Sequence, residues 1–235
     1  MLFVNADDLG CSQKITNSII NCYAKERIHT TSAMVFMADS ERAAGLAKTN
    51  QLLTGLHLNF DQELTARNVP AKLLEHHRAV LRYLKKWKWN QVIYNPFLYK
   101  SFDYVFQAQW DEFEKLYGEM PIKLDGHHHM HLCMNMLFSG KIPKSIKIRR
   151  NFSFRGGEKH QINRLYRYLV DCFLASNFIC TDFFFSLTPI DIQRIKQIIS
   201  ISKSKDVEIM VHPGVDSECL FLLSPVWASL ISDIL

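Results

Sequence analysis

The 235-residue sequence has no apolar run of about 18 residues, the length that a membrane-spanning helix requires. No basic stretch followed by a long apolar one comes after Met1, so we expect no secretory signal. The six cysteines form no CxxC pair, which is typical of reduced, mostly buried thiols in a cytosolic protein. These absences predict a cytoplasmic protein with no membrane partner.

The sequence also lacks a nucleic-acid-binding motif and a low-complexity linker. Its net charge of +5 is spread along the chain, and the densest basic patches, at 85–88 and 147–150, carry no basic–aromatic ladder. We therefore expect no nucleic-acid partner. The apolar content of 48% suffices for a core. We predict a single domain over residues 1–235 with a helical and aromatic insertion at about 60–120.

A histidine-rich stretch, Asp125–His131, stands out against this background. Four of the ten histidines lie within five residues there, directly after the alternating run Ile122–Leu124. Neutral imidazoles are the commonest protein ligands for first-row metals, and a nearby aspartate can ligate the ion or fix a histidine tautomer. The alternative is an accidental histidine-rich tract. The position after a buried strand favours a metal site.

Short apolar segments alternate with helical patterns along the whole chain. Strands are predicted at 2–6, 31–36, 52–58, 122–126, 145–149, 178–183 and 207–211. Helices are predicted from Ser12, over 40–48, from Pro70, over 103–117, over 158–176, and from Thr188 and Pro189. This alternation predicts an α/β fold, a distorted (β/α) barrel of about seven parallel strands that is TIM-barrel-like.

Ionisable residues follow five of the predicted strands. In a parallel barrel, the carboxyl ends of all strands share one rim, where active sites are built. Residues far apart in sequence can therefore converge, and packing alone explains this pattern poorly. The residues are Asp7, Asp8, His57, Asp125, His127, Arg149, Arg150 and His212.

Five segments carry a resemblance to a known family. They are Asn5–Gly10, Thr30–Val35, Gly55–Leu58, Asp125–His131 and Met210–Gly214. In this order they resemble the motifs of the YdjC-like carbohydrate deacetylases, which include chitooligosaccharide deacetylases. The set is also similar to the wider polysaccharide deacetylases. The resemblance implies a distorted barrel, a divalent metal and hydrolysis of N-acetyl groups on sugars or oligosaccharides.

The resemblance also implies roles for individual residues. Asp8, His57 and His127 would hold the metal. Asp7 would be the general base and His212 the general acid. Arg149, Arg150 and His129 would bind substrate, although either arginine could instead orient Asp7. The family suggests magnesium, whereas an imidazole-rich site favours zinc as the alternative.

Each of these assignments has a structural alternative. Asp7 or Asp8 could cap the following helix, His57 could be a core histidine, and the two arginines could be surface charges. His128 and His131 are interpreted as structural or outer-sphere residues, and His129 as either structural or substrate-binding. Three tryptophans could stack on sugar rings or pack in the core, and two helical histidines are interpreted as surface and packing residues: Trp87, Trp89, Trp110, His76 and His77.

Two other functions remain open at this point. One is a different metal-dependent hydrolase, such as a phosphoesterase, although no Gly-rich phosphate loop is evident. The other is a catalytically silent sugar-binding protein. The segment after Gly214 is short and apolar. The barrel is therefore expected to be incompletely closed or covered by a partner subunit, as in a homodimer.

Overall fold

A parallel sheet forms the centre of the computed structural model, which describes residues 1–153 and 161–232. Its strands pair in the order β5-β4-β3-β2-β1-β7-β6, and every pair is parallel. The sheet curls into a half-barrel, so the predicted α/β fold is confirmed. The strands are β1 (Leu2–Leu9), β2 (Thr30–Ala33), β3 (Thr54–Leu58), β4 (Lys123–Gly126), β5 (Lys147–Ile148), β6 (Phe183–Ser186) and β7 (Val207–Val211).

Helices connect successive strands, as parallel pairing requires. Among the described residues, no helix has the length and apolar character needed to cross a bilayer. The helices are α1 (Gln13–Ala24), α2 (Ser40–Thr49), α3 (Ala71–Lys86), α4 (Tyr99–Tyr117), α5 (Met134–Leu137), α6 (Gln161–Asn177), α7 (Ile192–Ser202), α8 (Asp216–Leu222) and α9 (Pro225–Ser232), and the 3₁₀ segments are Lys88–Val92 and His127–Leu132.

Most of the predicted helices and strands are present. Some begin at a different residue from the predicted one, because capping side chains and strand pairing set their ends. Helix α1 begins after Ser12, whose hydroxyl accepts from the Ile15 amide, as predicted. Helix α7 begins later than predicted, because Asp191 caps it by accepting from the Arg194 amide. Strand β6 lies further along the chain than predicted, since its pairing with β7 starts at Phe183. The predicted start of α6 at Glu158 lies outside the described residues.

The two faces of the sheet differ in chemistry. Successive side chains of a strand point to opposite faces of the sheet. Residues that are paired in the parallel register point to the same face on neighbouring strands. The convex face is apolar and packs against the helices. The concave face is lined by buried polar side chains: Asn5, Asp7, Ser32, His57, Lys123, Asp125, Arg149 and Glu208.

The half-barrel ends at strands β5 and β6. Within the described residues, an isolated parallel bridge between Lys147 and Ile179 and a backbone bond from Ser153 connect these edges. The Ile148 amide donates to the Ile179 carbonyl at 2.8 Å, and the Ser153 amide donates to the Phe184 carbonyl at 2.8 Å. The sequence predicted an open or covered barrel. The structure has a sheet whose edges approach each other without forming a continuous ladder.

The apolar tail after Gly214 folds back as helices α8 and α9. Helix α9 packs against α7 and α8, on the convex side of the sheet and away from its β5 edge. Trp227 of α9 is fully buried, its indole N–H donates to the Arg27 carbonyl at 3.2 Å, and its ring lies 5.8 Å from that of Phe221. The tail therefore completes the helical layer instead of closing the barrel.

Replacing Trp227 by Ala should lower the free energy of unfolding by about 3–5 kcal/mol, because a buried aromatic ring leaves a cavity when it is removed. Urea unfolding followed by circular dichroism measures this. Val226→Ala is the matched control on the same helix, where a half-exposed side chain should cost no more than about 0.5 kcal/mol. Equal destabilisation by the two variants would contradict a structural role for the tail.

Candidate metal centre

Three side chains from three strand ends meet at the rim of the concave face. His57 Nε2 lies 3.2 Å from Asp8 Oδ1, and His127 Nδ1 lies 2.9 Å from the same oxygen. One ligand atom from each residue lies within 4.8 Å of the other two. The structure thus brings together the three residues that the sequence analysis assigned to a metal. Their role as ligands stays a prediction.

An irregularity in β1 allows two consecutive aspartates to reach this rim. In a regular strand, Asp7 and Asp8 would point to opposite faces. Asp8 has a φ of 71°, in the left-handed region, and the pairing with β2 shifts register between Ala6 and Leu9. Aspartate tolerates this conformation better than most residues. The local backbone therefore places both carboxylates near His57.

His57 is oriented by a second carboxylate behind it. Its Nδ1 lies 2.7 Å from Asp125 Oδ1, and the other oxygen of Asp125 accepts from Ser32 Oγ at 2.6 Å. Asp125 is fully buried, and its carboxylate can accept the Nδ1 proton of His57. With Nδ1 bound in this way, Nε2 of His57 faces Asp8. A carboxylate that fixes the tautomer of a metal-binding histidine is a recurring arrangement.

The ionisation of the cluster also suits a cation. Burial raises the pKa of Asp8, yet hydrogen bonds from His127 and His57 outweigh it and leave that pKa far below its usual range. Burial lowers the pKa of His57, but the charges of Asp7 and Asp125 raise it to about 10. A proton on His57 thus occupies the position that a divalent cation would take. Two imidazoles and one carboxylate, partly open to solvent, fit such an ion.

A buried arginine lies behind the centre. Arg149 donates through both terminal nitrogens to Asp7, at 2.6 and 2.7 Å, and through Nε to Glu208 at 2.8 Å. Burial raises the pKa of Asp7, but the charges of Arg149 and His57 lower it overall, so this carboxylate is ionised. Arg149 is only 1% exposed, which rules out a surface charge. Its contacts fit the orienting role that the sequence analysis left open.

The same arginine argues against an ion in a neighbouring cluster. Asp7, His57 and Asp125 also have ligand atoms close together. However, the guanidinium of Arg149 lies between the two carboxylates, 2.7 Å from Asp7 and 2.9 Å from Asp125. This group already has a cation from the chain itself. The more open cluster around Asp8 is the better candidate for a metal.

His212 follows β7 on the concave face. Its backbone amide donates to Glu218 Oε2 at 2.7 Å, and its Nδ1 lies 3.7 Å from Glu218 Oε1. Burial lowers the pKa of His212, whereas its hydrogen bond to the Glu218 carboxylate and the charges of Asp7 and Asp8 raise it overall. Glu218 is buried and was not identified from the sequence, because an acidic residue in a short helix resembles a surface charge.

The predicted substrate residues occupy different environments. His129 packs at a steep angle against the stacked rings of Phe152 and Phe184, with centroid distances of 4.6 and 5.7 Å. Burial and the charge of Arg149 hold its pKa well below the usual value, so the ring is neutral. Arg150 points along the sheet edge and donates to Asp171 at 2.9 Å and to the carbonyls of Thr181 and Asp182.

Four more histidines contact neighbouring groups of the protein. His131 is buried and its Nε2 lies 3.0 Å from the Arg149 carbonyl. His77 is buried against the Asn59 carbonyl at 3.2 Å. His76 lies 3.0 Å from Ser101 Oγ. His128 pairs with Asp61 at 2.8 Å on the solvent side of the centre.

A cavity of about 670 Å³ opens beside the histidine segment. Its walls include His128 and His129, the 3₁₀ segment Lys88–Val92 and one side of α6. Trp89 lines the cavity and is half-exposed, whereas Trp110 is buried in the core, so stacking on a sugar ring stays a prediction for Trp89. No pattern in the sequence indicated that α6 borders this cavity. The described residues that line the cavity are Lys88, Trp89, Gln91, Val92, His128, His129, Leu132, Asn151, Phe152, Ile162, Asn163, Tyr166, Arg167 and Val170.

Known proteins share both sequence and fold with this chain. The model of the YdjC-like protein family matches residues 1–231. A chitooligosaccharide deacetylase of Serratia marcescens is 29% identical over 133 residues, which cover 56% of this chain and 51% of that protein. A carbohydrate deacetylase of Clostridium beijerinckii is 27% identical over 224 residues, which cover 93% of this chain and 84% of that protein. The chain thus spans about half the length of the first relative.

A solved structure has the same fold. It is a protein of Enterococcus faecalis V583, described as a candidate cellobiose-phosphate cleavage protein. Its TM-score is 0.69 at 18% identity, over 99% of this chain and 94% of that one. At this identity the likeness supports the fold alone.

Replacing Asp125 by Asn should weaken metal binding about 10–100-fold, because His57 loses the carboxylate that fixes its tautomer. Titration of the dialysed protein with zinc against a competing chelator measures the affinity. Asp216→Asn, at an exposed ion pair with Lys14, is the control and should bind like the parent. Unchanged affinity in a folded Asp125→Asn protein would show that Asp125 does not support the centre.

Proposed function

The chain belongs to the YdjC-like protein family, and from that membership we propose that it is a metal-dependent deacetylase of N-acetylated sugars or oligosaccharides. The observation that carries the proposal is the convergence of Asp8, His57 and His127 at one rim, with Asp7 and His212 on the same concave face. The named relatives are deacetylases of carbohydrates and chitooligosaccharides, which supports this substrate class.

Asp8, His57 and His127 would hold the ion. A divalent cation there would polarise the acetyl carbonyl and lower the pKa of the attacking water. We propose magnesium on the basis of the family, with zinc as the alternative that two imidazole nitrogens favour. The partial exposure of Asp8 and His127 leaves room for water and a substrate oxygen.

Asp7 is proposed as the general base. It is ionised, and Arg149 holds both of its oxygens, so its orientation is fixed before substrate arrives. Asp7 would accept a proton from water as the water attacks the amide carbonyl. The bond between carbonyl carbon and sugar nitrogen then breaks, releasing acetate and the amino sugar.

His212 is proposed as the general acid for the leaving nitrogen. An amide nitrogen needs a proton to leave, because the unprotonated amide anion is too basic. Glu218 contacts both the backbone amide and the ring of His212, which orients the ring and favours its protonated form. The exposed fraction of the side chain is 31%, so it can reach a substrate at the rim.

The cavity beside His129 is the proposed sugar-binding region. Trp89 and Phe152 offer aromatic surface for a sugar ring, while Asn151 and Asn163 offer polar contacts. His129, neutral and in the cavity wall, is the proposed histidine contact. Arg150 has contacts of its own at the sheet edge, so its substrate role rests on the family resemblance alone. A homodimer and a cytoplasmic location stay predictions.

Two other functions make different demands. A phosphoesterase would release phosphate, and a silent binding protein would release nothing. Arg149 forms salt bridges with three carboxylates in the interior, so its guanidinium is not available to bind a phosphate at the rim. The positioned groups around Asp8 disfavour a silent protein. Assays for acetate and for phosphate therefore separate all three.

Asp8→Asn should lose the metal ion bound at this centre, since it removes the carboxylate of the cluster while asparagine tolerates the same backbone conformation. Asp7→Asn should keep the metal and lower acetate release from N-acetylated sugars by roughly 10²–10⁴, the range for loss of a general base. Metal analysis and an acetate assay on both variants test this. If Asp7→Asn loses the metal and Asp8→Asn keeps it, the two roles are exchanged.

Turnover of amide substrates should decline at alkaline pH as His212 loses its proton. The neighbouring carboxylates raise the pKa of His212, so the decline should begin above the usual histidine value of about 6.5. A cation at Asp8 would act in the opposite direction. His212→Ala should remove this limb of the pH profile, keep the metal, and slow amides roughly 10²–10⁴-fold.

Ester analogues of the substrate provide the comparison for His212. An alkoxide leaves with less help than an amine, so His212→Ala should affect esters far less than amides. Parental amide turnover in this variant, or metal loss as severe as in Asp8→Asn, would contradict the general-acid role.

A further inference from the structure

A second group of metal-type ligands lies on the solvent side of the proposed centre. We infer that Asp61, His127 and His128 form a separate binding site for a late first-row cation such as zinc. One ligand atom from each residue lies within 4.8 Å of the other two. This inference does not require deacetylation and concerns residues that the proposed reaction leaves without a role, apart from His127.

The geometry of the group is set by two histidine rings and one carboxylate. His128 Nδ1 lies 2.8 Å from Asp61 Oδ2, and the rings of His127 and His128 have centroids 4.0 Å apart. The loop that carries Asp61 is fixed by Asn59, whose side chain accepts from the Gln62 amide and donates to the Gln62 carbonyl. These hydrogen bonds within the loop therefore hold Asp61 in place.

An unpartnered oxygen provides independent support. Asp61 is 7% exposed, and its Oδ1 is buried without a hydrogen-bond partner among the described residues. A carboxylate oxygen has lone pairs to satisfy, and leaving one buried and unpaired is unfavourable. The hydrogen bond from His128 occupies only Oδ2. A cation bound here would satisfy the other oxygen.

The charge around Asp61 differs from that around Asp7. Arg149 neutralises Asp7, whereas the salt bridges of the described residues give Asp61 a single partner, His128. Among the described residues, no lysine or arginine forms a salt bridge with Asp61. A cation bound here would supply the positive charge that Arg149 supplies to Asp7.

The position of His128 gives an ion access. Its side chain is 64% exposed and lines the cavity of about 670 Å³. Two imidazole nitrogens and one carboxylate favour zinc over magnesium, which prefers an all-oxygen environment. The site is consequently expected to bind zinc even where the ion at Asp8 is magnesium.

His127 belongs to both groups, so each site is tested with the other disabled. In an Asp8→Asn background, dialysed protein should still retain about one zinc per chain. Adding Asp61→Asn or His128→Gln to that background should weaken the remaining zinc by more than the roughly 10–100-fold that outer-sphere partners contribute. Equilibrium dialysis against zinc with metal analysis gives both stoichiometry and affinity.

The single variants and a control complete the experiment. Asp61→Asn and His128→Gln alone should each lose one of two zinc ions and keep the one at Asp8. His76→Gln is the matched control, because this histidine lies on α3 and contacts Ser101 instead of the clusters. His128 is exposed, so His128→Gln should fold even if Asp61→Asn does not, which circular dichroism checks.

The outcomes distinguish this inference from the proposed function. If neither Asp61→Asn nor His128→Gln changes the zinc stoichiometry or affinity, Asp61 and His128 form only a hydrogen bond with each other. That result would overturn the second site. If Asp8→Asn then removes all zinc, the proposed centre stands alone. If Asp8→Asn has no effect while Asp61→Asn and His128→Gln remove the only zinc, the second site stands and the proposed centre fails.

Discussion

The buried guanidinium of Arg149 is surrounded by three carboxylates inside the half-barrel. Asp7, Asp125 and Glu208 all lie within 2.9 Å of its nitrogens, and each comes from a different strand. Removing one partner from such a buried network is costly, because the remaining charges stay buried without compensation. Asp7 and Asp125 therefore keep their places because this one cation holds both of them.

Lys123 extends the same network along β4. It lies 3.0 Å from Asp125 and 2.7 Å from Glu208, in the interior behind the rim. Gly55 on the neighbouring strand makes room for it, since a Cβ there would lie 2.4 Å from Lys123 Cγ. The interior of the half-barrel is thus organised by ion pairs. The rim that carries the proposed metal centre rests on charges that are almost completely buried.

The sequence predicted the rim better than the interior. Polar residues directly after apolar strands, such as His57 and His127, are visible as strand ends, and the rule that parallel strands share one rim brings them together. Glu208 and Lys123 lie within strands, where a single charge between apolar residues resembles a solvent-facing position. Their pairing depends on the register between β1, β4 and β7, which no local pattern contains.

The sequence predicted that a periodic stripe of apolar residues on helix α6 would face the core. In the structure, other apolar residues of the helix face the core. Val170 and Leu174 are buried, while Ile162, Leu165 and Leu169 are more than half exposed. Helix α6 therefore has few apolar side chains to anchor it, yet it forms one wall of the cavity. Elements with few buried apolar contacts open at lower free energy than the core. The width of the proposed sugar-binding region can consequently change through motion of α6 while the sheet that holds the proposed metal ligands stays fixed. Substrate size and metal binding would then be set by separate parts of the fold.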